Sequence, residues 1–386
     1  MEMTKIAIIG GGVAGLTTAI ALQKIGITAN IYEQSQKLRG IGAGFGLAAN
    51  AMHALDILGL REGVEKIGHF LPSYNILDEK GKKLVTPKTE QIGSFYQQSN
   101  FALHRGQLHN FLSKQLSQDQ INLGKHAVRF TKEVDGIFVY FSDGTSIHTQ
   151  ALIVADGVHS KLREQLLPKS KPRYAGYTCW RAVIDKQNVH LTDSCETWGS
   201  EGRFGMTPLV DDKIYWYACI NGKQNDPVFS KFDIDNLRER FAGYHKPISE
   251  ILSNTTTEQL ICSDILDIKP LKSLAFDNIL LIGDAGHATT PNMGQGACQA
   301  IEDAAVLYHE IQTASNISNA FLKVSERRLA RTRYITNTSR QIGWFAQWEN
   351  KPLIRVRNTL MRIMPEYLKQ SQLRRLLNED FTSIKI

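Results

Sequence analysis

The length and composition of the chain indicate a globular protein with more than one domain. It has 386 residues, of which 42% are hydrophobic and 22% charged, which are values typical of folded rather than disordered chains. The formal net charge of +7 is spread along the chain without a zinc-finger, helix-turn-helix or RNA-binding motif, so no nucleic-acid partner is expected. No apolar run in the sequence is long enough to span a bilayer, so stable membrane insertion is not expected either.

The cysteines argue against metal and thiol chemistry. The five cysteines show no CxxC spacing, so neither a metal site nor a thiol–disulfide flavoenzyme is expected. Their odd, scattered number suits a reducing cytosol, and the sequence reaches a predicted strand without a leader-like segment. We therefore expect a cytoplasmic protein without a bound metal, either a monomer or a dimer.

A glycine-rich turn lies near the start of the chain. Ile6–Ile9 predicts a buried parallel strand, and Leu16–Leu22 predicts a helix that Gly26 ends. Glycines at such a joint allow a tight turn and let backbone N–H groups approach a pyrophosphate. The next predicted strand ends at Glu33, whose carboxylate suits an adenosine ribose and favours FAD or NAD over NADP. The predicted contacts are Gly10, Gly12, Val13, Ala14, Gly15 and Glu33.

A second glycine-rich segment, Gly283–Gly296, follows an apolar strand predicted over residues 278–284 and precedes a helix predicted from about Ala297 to Ile311. At the carboxyl end of its strand, Asp284 would face the ligand crevice of an open α/β sheet and accept a hydroxyl hydrogen bond from a ribityl chain. Glycines allow backbone to lie against a flat ring, and the helix N-terminus would face its negative charge. Together the two segments predict FAD, with Asp284, Gly294, Gly296 and Ala297 as contacts.

These segments, together with Ala155–Arg163, resemble the class A FAD-dependent monooxygenases. This aromatic hydroxylase family includes p-hydroxybenzoate, salicylate and urate hydroxylases and the tetracycline-inactivating monooxygenases. Gly42–Leu47 and Leu103–Leu108 also resemble the family. The resemblance implies an α/β fold in which an FAD-binding Rossmann-like domain carries an inserted antiparallel-sheet substrate domain and C-terminal helices.

The resemblance also implies a reaction. The chain would be a single-component FAD-dependent monooxygenase that uses NADPH or NADH as a visiting co-substrate and O2. It would hydroxylate an electron-rich aromatic or enolic small molecule through a flavin C4a-hydroperoxide. A flavin-dependent oxidase or reductase on the same fold, and a non-catalytic flavin-binding sensor, remain alternatives. A phenolic acid, a quinolone, a purine and a tetracycline all remain open as substrates.

The resemblance implies further site residues, which the residue pattern alone does not indicate. Arg203 and Tyr215 resemble the substrate-binding pair of urate hydroxylases, with Arg203 expected to bind an anionic or enolate oxygen, although Asn292 stands where those enzymes carry an acid. Pro291 and Gln295 are expected beside the flavin ring. The remaining implied cofactor contacts are Gly44, Arg105 and Asp156, with Arg163 as a nicotinamide contact.

Two groups of residues are expected to be structural rather than functional. His287 is a conceivable general base, but its place in the glycine-rich segment favours a role in loop geometry. Aromatic residues at strand spacing are more often core than pocket. This group consists of Trp180, Trp198, Phe204 and Trp216.

Alternating apolar runs over residues 178–183 and 213–220 predict an antiparallel sheet with one buried face. Segment 71–99 is predicted to join that sheet, Phe232–Tyr244 to be helical, and Pro365 to end the last helix. The predicted organisation is an FAD-binding domain (1–70, 100–171 and 270–345), a substrate domain (71–99 and 172–269) and a C-terminal helical segment (346–386).

Overall fold

The computed structural model of the chain describes residues 4–38, 43–86, 99–365 and residue 367. The strands are β1 (Thr4–Ile9), β2 (Ala29–Glu33), β3 (Gly44–Leu47), β4 (His69–Phe70), β5 (Tyr74–Asp78), β6 (Lys83–Val85), β7 (Phe101–His104), β8 (Ile121–Leu123), β9 (Ala127–Glu133), β10 (Gly136–Phe141), β11 (Ser146–Val154), β12 (Arg173–Asp185), β13 (Ser194–Gly199), β14 (Gly202–Leu209), β15 (Lys213–Asn221), β16 (Ile261–Asp267), β17 (Ala275–Phe276) and β18 (Ile279–Leu281).

The helices are α1 (Val13–Gln23), α2 (Ala49–Ile57), α3 (Arg61–Ile67), α4 (Arg105–Ser113), α5 (Lys161–Leu166), α6 (Ile234–Arg240), α7 (Lys246–Ser253), α8 (Asp284–His287), α9 (Gly296–Thr313), α10 (Ile317–Ala346) and α11 (Lys351–Ile363). Single turns of 3-10 helix cover Gln118–Gln120, Phe229–Lys231, Thr257–Gln259 and Pro291–Met293.

The first sheet has a parallel centre that brings strand ends together. Its order is β17-β18-β11-β1-β2-β8, with β10 and β9 attached to β11 as an antiparallel extension. In β1, Ile8 lies opposite Ile31 on β2 and Ile153 on β11, and all three side chains are fully buried. Helix α1, buried from Ala14 to Leu22, packs against α9. Burial of these three central strands is typical of parallel strands that are covered on both faces.

The second sheet has seven strands in the order β16-β12-β15-β14-β13-β5-β6, and its pairs are antiparallel except for β13 with β5. One face packs on α6 and α7 through a core that includes Trp180, Phe204 and Trp216. Because side chains alternate between faces along a strand, Tyr177, Arg203 and Tyr215 lie on the opposite face. Trp180, Phe204 and Trp216 are confirmed as core residues, whereas Trp198 is buried on the Arg203 face in a separate cluster with Leu84, Ala346 and Met361.

Several elements differ in extent from their sequence predictions. Strand β18 ends at Leu281, and Asp284 begins the one-turn helix α8 rather than ending the strand. Helix α6 is shorter than the predicted 232–244 because its Asp233 cap fixes the start and the chain turns after Arg240. Helix α11 ends at Ile363, before Pro365, as predicted. The predicted domain boundaries stay a prediction.

A membrane-spanning helix must be both long and apolar, and this requirement applies to every helix in the described part of the chain. None of them is both long and apolar enough to cross a membrane.

Candidate active site

The three sequence motifs meet at the carboxyl ends of the parallel strands. At Gly10, after β1, a Cβ atom would lie 2.3 Å from the carbonyl oxygen of Ala155, which follows β11. At Gly283, after β18, a Cβ atom would lie 2.7 Å from the Cβ of Ala14 in the first turn of α1. Backbone and side chains of the motifs are therefore in direct contact. Ligands of open α/β sheets bind at this end of the strands.

The glycines of the site serve two different purposes. Gly10 has φ +107°, and a Cβ at Gly15 would lie 1.9 Å from the Gly10 carbonyl oxygen, so the fold itself requires both. Around Gly12, Gly294 and Gly296, apart from the adjoining residues and the backbone of the glycine's own helix, no described atom lies within 4 Å of the position that a Cβ would occupy. Gly294 has φ +62°, a conformation that favours glycine by itself. Packing within the described chain does not explain Gly12 and Gly296, whereas close approach of a ligand to the backbone would.

The start of helix α1 is suited to bind an anion. Gly12 is its N-cap, and no described side chain caps the helix, so its first N–H groups face outward. Glu33 lies beside this turn, where it accepts hydrogen bonds from the N–H groups of Gly11 (2.7 Å) and Ser35 (2.8 Å). Each carboxylate oxygen keeps a lone pair for a ligand hydroxyl. The buried His109 ring fixes the turn from below through a 2.6 Å contact of Nε2 with the Gly11 carbonyl.

Asp284 and Arg105 are close enough to interact electrostatically. Asp284 is exposed at the start of α8, and the surrounding protein partly desolvates its carboxylate. Desolvation raises its pKa, and the positive charges of His287, Arg105 and Arg163 oppose this effect. Arg105 is exposed at the start of α4. An acceptor and a cation in this position fit a ligand that carries both hydroxyl and phosphate groups.

Asp156 and Arg163 both belong to the Ala155–Arg163 segment, but their side chains have different surroundings. Burial raises the pKa of Asp156 to about 6, and its Oδ1 atom has no hydrogen-bond partner among the described residues. The Arg163 side chain is fully buried and donates to the carbonyl oxygens of Ser170 (3.0 Å) and Val158 (2.8 Å). Arg163 thus holds the turn after β11. The contact of Arg163 with a nicotinamide cofactor stays a prediction.

The Pro291–Gly296 loop presents its backbone rather than its glutamine side chain. Pro291 and Gly294 are exposed, whereas only 1% of Gln295 is exposed. The Gln295 Oε1 atom accepts hydrogen bonds from Asn50 (3.0 Å) and Gln299 (2.9 Å). These bonds turn the side chain toward α2 and α9, and the position of Gln295 beside a flavin ring stays a prediction.

A buried charge network fixes helix α9 and the preceding turn. Arg328 on α10 donates to Glu302 (2.5 Å) and to Asp303 (2.7 Å), and Arg331 also binds Glu302. Although burial opposes it, these two cations lower the pKa of Glu302 to about 2. Asp303 in turn accepts from the Gly283 N–H (2.8 Å) and lies 2.6 Å from the His287 Nε2 atom. His287 therefore belongs to the framework of the loop, in keeping with the sequence expectation.

The polar face of the second sheet carries a buried ion pair. Arg203 on β14 is 1% exposed, and its Nη1 atom lies 3.0 Å from the Glu196 Oε1 atom on β13. Its Nε atom donates to Gln347 (2.9 Å), and its guanidinium lies 5.1 Å from the centre of the Tyr177 ring. The sequence predicts that Arg203 binds a substrate anion. In the structure the Glu196 carboxylate pairs with this charge, and the binding of a substrate anion by Arg203 stays a prediction.

Tyrosines connect that face to the glycine-rich segments. The Tyr177 hydroxyl donates to Asn292 in the Pro291–Met293 turn (3.0 Å). A Cβ at Gly44 would lie 2.5 Å from the Tyr215 ring, so Gly44 allows this tyrosine to pack against β3. Burial raises the pKa of Tyr215, so the phenol is neutral at pH 7. Tyr177 thus links Arg203 to the loop that the sequence assigns to the flavin ring, and Tyr215 packs against β3.

Sequence reasoning missed several members of this face, chiefly Tyr74, Tyr177, Glu196 and Gln347. Glu196 had a usable signal, since an acidic residue within a buried strand requires a partner. Its partner depends on strand register, which the residue pattern alone leaves undetermined.

The residues present fit FAD. Uncapped helix N–H groups suit its diphosphate, Glu33 and Asp284 suit its hydroxyls, and the open backbone at Gly294 and Gly296 suits a flat ring. Among the described residues, no group of three or more His, Cys, Asp or Glu side chains could hold a metal ion.

Comparisons with known proteins agree with this geometry. A family model described as FAD binding domain matches residues 3–336. The chain is 34% identical to the aurachin C monooxygenase/isomerase of Stigmatella aurantiaca, with 98% of both chains covered. It is 31% identical to the 2-heptyl-3-hydroxy-4(1H)-quinolone synthase of Pseudomonas aeruginosa, again with 98% of both covered.

Solved structures include a similar fold. Klebsiella pneumoniae HpxO complexed with FAD and uric acid has a TM-score of 0.88 and 26% identity, with 97% of both chains covered. A salicylate hydroxylase substrate complex shares the fold, with a TM-score of 0.80 and 22% identity over 98% of this chain and 96% of the other. The motifs, the site and these relatives agree, and the chain belongs to the FAD-binding-domain family as an FAD-dependent monooxygenase of the aromatic hydroxylase group.

Proposed function

We propose that this monooxygenase consumes NAD(P)H and O2 to hydroxylate an electron-rich heteroaromatic or enolic small molecule. The observation that carries the proposal is the open backbone at Gly12, Gly294 and Gly296 next to a polar sheet face that bears Arg203 and Tyr215. That arrangement supports a bound flavin with a substrate between its ring and the sheet.

A 4(1H)-quinolone ring is the first substrate to test. The name of the P. aeruginosa relative specifies a product with a hydroxyl group at C3 of such a ring. In a 4(1H)-quinolone, the nitrogen lone pair is conjugated to C3, which makes this carbon a nucleophile for an electrophilic oxygen. Urate is a weaker candidate, because Asn292 stands where the resemblance expects an acid.

Each part of the chain would have a separate task. FAD, when bound, supplies the redox chemistry by accepting a hydride and using O2 to transfer one oxygen atom to the substrate. The α1 N-terminus and Gly12 would bind the diphosphate, and Glu33 and Asp284 the hydroxyl groups. The N-terminus of α9 would stabilise negative charge on the ring. The sheet face would orient the substrate and exclude water.

Nicotinamide binding would be transient. The sequence carries one GxGxxG-type run, which the FAD is expected to use. A reductant without a resident site suits a reaction in which the substrate gates flavin reduction. We therefore expect NAD(P)H to reduce the flavin faster when an aromatic substrate is bound.

The test is NADH and NADPH oxidation by the purified holoenzyme with and without 4(1H)-quinolone, salicylate or urate. The proposal predicts one noncovalent FAD per chain, stimulation by at least one of these rings, and a hydroxylated product. Oxidation of a substrate with hydrogen peroxide as the sole oxygen product would identify an oxidase. FAD binding without NAD(P)H oxidation under any condition would favour a flavin-binding sensor.

A further inference from the structure

The ion pair on the sheet face is held rigidly by neutral groups. The second oxygen of Glu196, Oε2, accepts a hydrogen bond from the Tyr74 hydroxyl (2.8 Å). Gln347, which accepts from Arg203 Nε, donates through Nε2 to the Asn221 Oδ1 atom (3.1 Å) and accepts from the Asn221 Nδ2 atom at its backbone carbonyl (2.8 Å). With both partners fixed, the guanidinium has a set orientation.

One donor nitrogen of the Arg203–Glu196 ion pair is not used by the described residues. The Arg203 Nη2 atom is buried and has no hydrogen-bond partner among the described residues. A buried N–H without an acceptor is unfavourable, so this atom calls for an acceptor from outside the described chain. Tyr177, which lies against the guanidinium, reaches Asn292 in the loop assigned to the flavin ring. The unused donor is therefore one side chain away from that loop.

The Arg203 charge is paired within the protein, and a second cation, Arg357, lies close enough to interact with it. Arg203 is positive and Glu196 neutralises it at 3.0 Å. Burial raises the pKa values of Tyr74, Tyr177, Tyr215 and Tyr217 on the same face, so these phenols are uncharged at pH 7. Arg357, which lies over the Trp198 ring, donates to the backbone carbonyls of Ala346 and Trp198.

We propose that Glu196 determines substrate specificity by making Arg203 a neutral-ligand site: the substrate presents an uncharged oxygen acceptor, such as a ring carbonyl, to Nη2. An anionic substrate would meet a guanidinium whose charge is already compensated and would be repelled by the Glu196 carboxylate behind it. The inference rests on the proposed function, because it assumes that this sheet face lines the substrate pocket.

The test measures dissociation constants for the FAD-loaded protein by calorimetry at pH 7, with 4(1H)-quinolone as the neutral probe and salicylate and urate as anionic probes. Wild type should bind the neutral probe at least tenfold more tightly than either anion. Glu196→Gln should bind the anions at least tenfold more tightly than wild type does, with affinity for the neutral probe changed less than threefold.

Two variants control for other effects. Glu201→Gln removes one negative charge from the same β13–β14 hairpin, where its side chain is 49% exposed, and should change none of the affinities. Tyr74→Phe removes a hydrogen bond to Glu196 without changing charge and should leave the preference for the neutral probe intact.

Each result has a defined meaning. Wild-type protein that binds salicylate or urate as tightly as the quinolone overturns the inference without any variant, as does an unchanged anion affinity in Glu196→Gln. FAD-loaded enzyme that turns over an anionic ring would refute this inference and leave the proposed function standing. Protein that holds FAD but hydroxylates nothing would instead refute the proposed function.

Discussion

Substitution of Gly12 by alanine should separate ligand binding from folding. Gly12 has φ −75°, which alanine adopts readily, and no described atom outside the adjoining residues lies within 4 Å of its Cβ position. The substitution therefore introduces no clash within the described chain. Loss of glycine at an N-cap costs at most about 1 kcal/mol of helix stability. The same methyl group would occupy space that the FAD diphosphate needs.

The expected loss of affinity follows from the hydrogen bonds involved. A hydrogen bond to a charged group contributes about 1.5–3 kcal/mol. If the added methyl group prevents one such hydrogen bond to the diphosphate, the Kd for FAD should rise about tenfold to about a hundredfold. Titration of the FAD-free protein with FAD, followed by flavin fluorescence, gives this Kd directly. Urea unfolding of the same FAD-free samples gives the free energy of unfolding.

Gly243→Ala is the matched control, because Gly243 is exposed, lies outside the motifs and also has no described atom outside the adjoining residues within 4 Å of its Cβ position. It should leave both quantities unchanged. An unaltered FAD affinity in Gly12→Ala would refute the argument that a ligand explains this glycine. A collapse of the FAD-free protein in Gly12→Ala would show that folding, not the ligand, requires it.

Three further outcomes are expected. Asp284→Ala should lower FAD retention through gel filtration, and excess FAD should partly restore turnover; full retention with lost turnover would contradict a flavin-orienting role. Because burial raises the Asp156 pKa to about 6, its charge destabilises the FAD-free fold as pH rises from about 4 to about 6. Asp156→Asn should therefore increase the free energy of unfolding by about 1–3 kcal/mol above pH 7 and have no effect below pH 4, measured by urea unfolding at both pH values. Arg328→Ala removes the cation that Glu302 and Asp303 share, and only Arg331 and His287 remain beside these two buried carboxylates. It should reduce the free energy of unfolding by about 3–5 kcal/mol, whereas Arg355→Ala, at an exposed position, should change it by less than about 0.5 kcal/mol.

The flavin half of the site could be predicted from sequence because its signals are local. A strand, a glycine turn and a helix follow one another at β1–α1, and the same order with an acidic residue recurs at β18–α8. Local order along the chain is enough to place Gly12 and Asp284 at strand ends. The structure confirms these elements, with shifts of a few residues at their boundaries.

The substrate half could not be predicted in the same way, because its contacts join distant residues. The Arg203 side chain binds Gln347, which is 144 positions further along the chain. Its charge state depends on Glu196, whose position depends on how β13 and β14 pair. Side-chain direction in the loop was equally inaccessible, since Asn50 and Gln299 decide where Gln295 points.

The measurement that tests the central claim most directly is the fate of molecular oxygen. Holoenzyme supplied with NAD(P)H, 4(1H)-quinolone and isotopically labelled 18O2 should yield a hydroxylated ring that carries one labelled oxygen atom, detected by mass spectrometry. The other oxygen atom should appear in water. A product without label, or consumption of O2 only to hydrogen peroxide with every ring tested, would contradict the account of this chain as a hydroxylating monooxygenase.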